Sequence, residues 1–351
     1  MTLARELADT AGRPQVDKNL LINGGMNVWQ RSTSTSVSTD TYSTVDRWRT
    51  TVNGLGVFTV SRSTDVPSGQ GFGYSTKWDC TTADASPAAA DSLKFEQRIE
   101  GQNLQHLLYG NSGAKKLTAS FWVKSNKTGV YTCGLYSADN SGRHIESSFT
   151  ISSASTWEKK EITFDGDTVS ALDNDNAESL RFWIWLGAGS NYSSGTHATS
   201  WASYAEADVL ANSQVNLADS TSNEFFITGL QLEVGSTASG FEFEPYANTL
   251  QKCQRYFYFF NFVNSAYGFN DAYHQSLGFN FHPIAFPTTM RVGPTATADM
   301  STDWSIVNSS RNDILTSTVN IAYHQIRAIS TGRFYALYTG TTNGIGFDAE
   351  L

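Results

Sequence analysis

The sequence predicts a mainly β protein: an antiparallel two-sheet sandwich followed by a smaller C-terminal β domain, with a short helical arm in front. Three observations predict it. Charged residues fill only 16% of the 351 positions and aromatics 13%, a mixture that suits pleated sheets and lacks the Lys/Glu-rich faces of surface helices. Short segments alternate apolar and polar side chains with period 2. Clusters of Gly, Asn, Asp and Ser punctuate them.

The arm covers residues 1–18. "TLARELAD" sets Leu3 and Leu7 on one side of two helical turns, and Gly12 and Pro14 stop the helix. Two turns are not stable alone, so Leu3 and Leu7 are expected to anchor the chain on a partner. The N-terminus shows no apolar core of signal-peptide length, and no run elsewhere is long enough to span a bilayer.

From 19 to 247 the strand-like segments are "GVFTVSRS", "SLKFEQRIE", "KLTASFWVKS", "GVYTCGLYS", "WEKKEITF", "SLRFWIWLG" and "NEFFITGLQLEV". In "LTASFWVKS", Leu117, Ala119, Phe121 and Val123 share one face. "EGQNLQHLLYG" is the one helical-looking insert, with Leu104, Leu107 and Leu108 at helical spacing. From 248 to 351, "NTLQKCQRYF" predicts a brief helix. "YFYFFNFV", "HQSLGFNFH", "STVNIAYHQIRAIS" and "GRFYALYTG" predict the smaller β domain.

A formal charge of −9 argues against a nucleic-acid partner, which needs clustered Lys and Arg. The pairs Lys115–Lys116 and Lys159–Lys160 read as solvated strand flanks. Cys80, Cys133 and Cys253 show neither CxxC spacing nor a disulfide framework and read as free thiols. Asp173 and Asp175 match the first positions of a calcium loop, but Ala177 and Glu178 break it; a solvated loop and an irregular calcium site are the alternatives. "GQGFG" from Gly69 reads as a flexible turn. His274 and His282 share a strand face, as surface histidines or as an ion site on a trimer axis. Glu96 and Glu100 alternate with Lys94 and Arg98 and read as an exposed charged row. No acid pair stands out for glycan cleavage. No catalytic residue, metal site or cofactor is therefore expected, and the chain is not read as an enzyme.

The segment "SLRFWIWLGAG" poses the main functional question. Leu180, Phe182, Ile184 and Leu186 form a core row, which leaves Arg181, Trp183 and Trp185 on the other face. Sugars present C–H groups that stack on aromatic rings, so Trp183, Trp185, Arg181, Tyr192, Trp201 and Tyr204 are candidate glycan-binding residues. Packing beneath a second layer or against another subunit is the alternative. Trp48 reads as a core anchor with Asp46 and Arg47 tying a loop, and Trp29 and Trp122 are expected to pack.

"NLLINGGMNVWQRSTS", "TVDRW", "LTASFWVKS" and "FFITGLQLEVGSTASGFEFEPYANTLQKCQRYF" together resemble a recurrent module of bacteriophage tail fibres and related virion structural proteins. The shared positions are Asn19–Gly24, Asp46–Trp48, Thr118–Trp122, Gln231–Gly235, Phe243–Glu244, Pro245–Tyr246 and Cys253–Tyr256. The resemblance implies a jelly roll like that of carbohydrate-binding modules over residues 19–247, a C-terminal β head over 248–351, and assembly as a homotrimer. It further implies a tail-fibre or tail-tip component that adheres to host-surface glycan and binds other virion proteins through the arm. Such a protein is made in the host bacterial cytoplasm and resides in the virion, without nucleic acid or membrane insertion. A capsid head fibre or decoration protein, and a glycan depolymerase or esterase, are the rival readings.

Overall fold

The computed structural model describes residues 18–261, 269–272, 280–283, 286–296, 304–307, 313–315, 320–322, 325–328, 334–338 and 344–351. Leu3, Leu7 and His274 lie outside the described residues. The chain forms two compact units, one ending at Tyr246 and including Leu351, the other running from Ala247 to Glu350.

The first unit is an antiparallel jelly roll of two six-stranded sheets. In chain order its strands are β1 (Ser34–Val37), β2 (Arg49–Asn53), β3 (Val57–Ser63), β4 (Ser75–Thr82), β5 (Ser92–Glu100) and β6 (Leu117–Ser125). They continue with β7 (Gly129–Ser137), β8 (Arg143–Ile151), β9 (Glu158–Phe164), β10 (Glu178–Ala188), β11 (Ala202–Ser203) and β12 (Glu224–Val234). One sheet has the order β1-β3-β4-β12-β6-β9 and the other β11-β8-β7-β10-β5-β2. The period-2 rows meet between the sheets as expected. Leu180, Phe182, Ile184 and Leu186 of β10 and Leu117, Ala119, Phe121 and Val123 of β6 all enter one core. Trp48 stacks on Phe95 at 4.7 Å, and Trp78 meets the same ring edge-on. Trp29 packs at the rim of this core, and Trp122 is half-buried.

The residues that carry the resemblance turn out to be a lock on the fold. Asn19 brackets β12: its amide donates to the Leu230 carbonyl (3.0 Å) and its side-chain oxygen accepts from the Leu232 N–H (3.0 Å). The pairing register of β12 with β6 shifts between Thr228 and Gln231, which frees Leu230 for these contacts. Gly24 lies so close that a Cβ there would overlap the Leu230 carbonyl oxygen. Asn23 is buried in a left-handed turn (φ 60°). It accepts from the N–H groups of Asn27 and Val28 and donates to the carbonyls of Val28 and Asp46. Asp46 accepts from the Gln30 N–H (3.0 Å), while buried Arg47 donates to the Arg98 carbonyl (2.6 Å).

Two expectations need correction. The "EGQNLQHLLYG" insert is not an α-helix but two 3-10 turns, Gly101–Asn103 and Gln105–Leu107. Leu104 and Leu107 are buried, but Leu108 adopts a left-handed conformation (φ 57°) and faces solvent. The row of Glu96, Glu100, Lys94 and Arg98 is not exposed, since both glutamates are fully buried. Asp173 and Asp175 do lie on an exposed loop. The three cysteines are free and buried.

The second unit opens with helix α1 (Tyr246–Gln254), which buries Thr249 and Cys253. Its strands form three small antiparallel sheets. The first joins β13 (Phe257–Asn261), β22 (Gly344–Asp348) and β16 (Thr295–Ala296). The second has the order β14 (Phe269–Ala272), β21 (Phe334–Tyr338), β17 (Trp304–Val307) and β18 (Asp313–Leu315). The third joins β15 (Asn280–Pro283), β20 (Gln325–Ala328) and β19 (Asn320–Ala322). Phe286 meets Phe347 edge-on at 5.1 Å.

Candidate functional site

The outer face of the β11-β8-β7-β10-β5-β2 sheet carries an arrangement that the core does not require. Strand register lays it out in three rows across the sheet. Arg98, Arg181, Tyr136 and His144 form the first. Arg49, Glu96, Trp183, Gly134 and Glu146 form the second. Thr51, Lys94, Trp185, Thr132 and Ser148 form the third. Side chains in neighbouring rows of one face stand within reach of each other.

The tryptophans are packed. Trp183 and Trp185 are each 1% exposed and form a cluster with Val209 and Leu210. These two residues come from the crossover after β10, which folds back over the face. The Leu210 N–H bonds the Tyr192 carbonyl (2.8 Å), and the Ala198 N–H bonds the Asp208 carbonyl (2.9 Å). The two candidates named first for sugar stacking therefore present no free ring face. The indole of Trp183 donates to Glu146 Oε2 (2.9 Å), and the other oxygen of Glu146 meets His144 Nδ1 at 3.1 Å. Gly134 makes this possible, because a Cβ there would collide with the Glu146 carboxyl lying across β7. Burial pushes the Glu146 carboxyl well above the usual range, and burial pulls His144 below the usual imidazole value.

Above the tryptophans lies a layer of half-buried tyrosines. Tyr136 stacks on Trp183 at 5.5 Å, Tyr204 meets Tyr136 edge-on at 5.1 Å, and Tyr192 lies 5.1 Å from Trp185. The Arg181 guanidinium sits over the Tyr136 ring at 5.2 Å. Arg181, Trp183, Trp185, Tyr192 and Tyr204 are thus brought together. Trp201 is held apart: it donates to the Asp165 carbonyl (2.6 Å) and packs edge-on against Tyr109 at the margin of the main core.

Beside the aromatic layer is a charge cluster centred on the fully buried Glu96. Glu96 pairs with Arg49 (3.3 Å), Arg98 (3.2 Å), Arg181 (3.5 Å) and Lys94 (3.6 Å). Burial alone would raise its pKa, but Lys94, Arg181, Arg98 and Arg49 outweigh it and draw the carboxyl down to about 2. Glu178 pairs with Arg181 (2.7 Å) and Arg98 (3.3 Å), Asp40 pairs with Arg49 (2.6 Å), and Arg98 also donates to the Leu351 carbonyl (3.0 Å). The Lys94 ammonium lies 5.2 Å from the Trp183 ring centroid and 4.9 Å from that of Trp185, within cation–π range. Burial lowers its pKa, opposed by Glu96. The signal for this cluster was present in the sequence as Lys94–Glu96–Arg98 and Arg181 on facing strands, but only register shows that they share one face. Among the described residues, no group of three or more His, Cys, Asp and Glu side chains is placed to hold a metal ion.

No family model matches the chain. No curated protein matches it either. Similar solved structures include the enzymatically active domain of tailspike protein 4 from bacteriophage CBA120, at 12% identity and TM-score 0.33, covering 62% of this chain and 22% of that one. The module TmCBM61 in complex with β-1,4-galactotriose is similar at 14% identity and TM-score 0.31, covering 62% of this chain and 99% of that one. The family 11 carbohydrate-binding module from Clostridium thermocellum, in complex with a β-1,3-1,4-mixed-linked tetrasaccharide, gives 12% identity and TM-score 0.30, covering 59% and 98%.

Proposed function

We propose that this protein is a non-catalytic glycan-binding component of a bacteriophage particle, acting by adhesion to the host surface. The observation that carries the reading is the second aromatic layer on the outer sheet face. Tyr136, Tyr192 and Tyr204 are half-buried and backed by Trp183 and Trp185. A sandwich needs no such layer for its core, and rings fixed from behind form a preorganised stacking surface for sugar C–H groups. The shared positions around Asn19, Asp46 and Gln231 support the virion assignment. A tail-fibre or tail-tip location and docking through Leu3 and Leu7 belong to the same proposal. Two buried glutamates of the face are shielded, Glu96 by its cations and Glu146 by Trp183 and the crossover, so neither of them is offered to a glycosidic bond.

Affinity electrophoresis of the full chain through gels containing bacterial surface polysaccharides tests the reading. Retardation is expected, and Tyr192→Ala and Tyr204→Ala are expected to weaken it severalfold while leaving the fold intact. Retardation unchanged by both variants contradicts the assignment to this face. Particle adhesion through individually weak sites gains from multiplicity, and a homotrimer with closed three-fold symmetry is expected. Light scattering should return three times the chain mass; a stable monomer at micromolar concentration would sink the trimer.

A further inference from the structure

The cluster beside the tyrosines deepens the glycan reading, on which this inference rests, by naming the class of sugar. Lys94 is unlike its neighbours. Arg49, Arg98 and Arg181 each make at least one close ion pair, at 2.6 Å, 3.2 Å and 2.7 Å respectively. The nearest carboxylate oxygen to Lys94 Nζ is 3.6 Å away, and among the described residues its ammonium makes no hydrogen bond. It lies against two indole faces and shares one carboxylate, Glu96, with three guanidinium groups. An ammonium carries three donors, and leaving them unmet at a site only 15% exposed is unfavourable. Water meets part of that need, and an anion meets it better.

The surroundings favour an anion as well. Four cations gather here around Glu96, and Glu178 and Asp40 pair with the three arginines. The four side chains keep between 15% and 21% of their surface open. They adjoin the half-buried Tyr136, through the Arg181 guanidinium over its ring. A sugar ring on the tyrosine layer would bring a ring substituent within reach of the Lys94–Arg181 edge.

We propose that the glycan taken by this face bears carboxylate groups, as uronic or other acidic sugars do, and that Lys94 is the residue that receives them, with Arg181 and Arg49 flanking. Neutral glycans would find the stacking surface but leave the ammonium unmet. Discrimination then follows from a buried donor that only one class of ligand satisfies.

The test runs the full chain through gels containing acidic polysaccharides (polygalacturonate, alginate, polysialic acid) and neutral ones (mixed-linkage β-glucan, galactan, dextran), with dextran sulfate as a polyanion control. Retardation by at least one carboxylated polymer is expected to exceed that by every neutral polymer. It should weaken as salt rises from about 50 mM to about 0.5 M, and fall by about tenfold or more in Lys94→Gln. Lys94→Met keeps the stem over the indoles and gives a second variant should Lys94→Gln unfold, and Lys94→Arg should restore part of the binding. Binding to neutral polymers alone, or carboxylated binding untouched by both neutral variants, overturns the inference and leaves the glycan reading standing. Equal binding to dextran sulfate and the carboxylated polymers, insensitive to Lys94, also overturns it. Retardation by none of the glycans overturns both.

Discussion

Truncating Trp183 to alanine is expected to lower the unfolding free energy of the jelly-roll unit by about 3–5 kcal/mol, the range for a large buried aromatic. The ring is 1% exposed and touches Trp185, Tyr136 and the crossover residues Val209 and Leu210. Its loss removes this packing and also the N–H that satisfies Glu146 Oε2. Among the described residues Glu146 would then keep His144 as its side-chain hydrogen-bond partner and leave Oε2 without one, which adds the penalty of an unmet polar atom. Urea unfolding of the full chain followed by circular dichroism measures the effect. A Trp183→Ala/Trp185→Ala double variant with an unchanged midpoint and abolished glycan binding would show instead that the indoles meet ligand directly.

Removing Glu96 should have an effect of the same size for an electrostatic reason. Glu96→Ala leaves Arg49, Lys94, Arg98 and Arg181 gathered around an empty centre, and breaking a buried pair from one side costs about 3–5 kcal/mol. The same carboxylate sets an acid limb. Its folded pKa of about 2 lies below the reference value of 4.5, so its stabilisation is complete above 4.5. It is lost as the pH falls from there toward 2, on the order of 3 kcal/mol in all. Melting temperature followed between pH 6 and pH 2 should therefore drop more steeply for wild type than for Glu96→Gln. Parallel curves would refute the claim that the cations hold Glu96 ionised.

The sandwich was legible in the sequence because the inner rows of β6 and β10 follow period 2 through their central residues. Leu117 to Val123 and Leu180 to Leu186 could be assigned to the core from alternation alone. The anchoring role of Trp48 was legible too, since a tryptophan beside Asp46 and Arg47 at a strand start has few other uses. What lies over the opposite face was not legible. Alternation says that Trp183 and Trp185 leave the core, but not that a crossover contributing Val209 and Leu210 closes over them. Trp201 and Tyr204 are near in sequence, but the short pairing of β11 with β8 lies between them and their rings go to different places. The row through Lys94, Glu96 and Arg98 read as solvent-facing because charge usually means exposure. Its burial depends on Arg49 and Arg181 arriving from neighbouring strands, and strand neighbours cannot be read from one strand. Gly134 gave no signal at all, because the reason for it is a carboxyl from β8.

The lock formed by Asn19 bears on how the chain is made. Asn19 meets Leu232, a residue 213 positions later, and β12 is the strand that joins β4 to β6 in the middle of its sheet. A ribosome adding about 5–20 residues per second takes on the order of ten seconds or more to cover that interval. Until β12 emerges, the nascent chain carries β4 and β6 with open edges and their apolar faces uncovered. Closing so long a loop late makes folding slow compared with a domain of local contacts. Production of this protein should therefore depend on chaperone capacity and on temperature, and any truncation before β12 should leave insoluble material rather than a smaller folded domain.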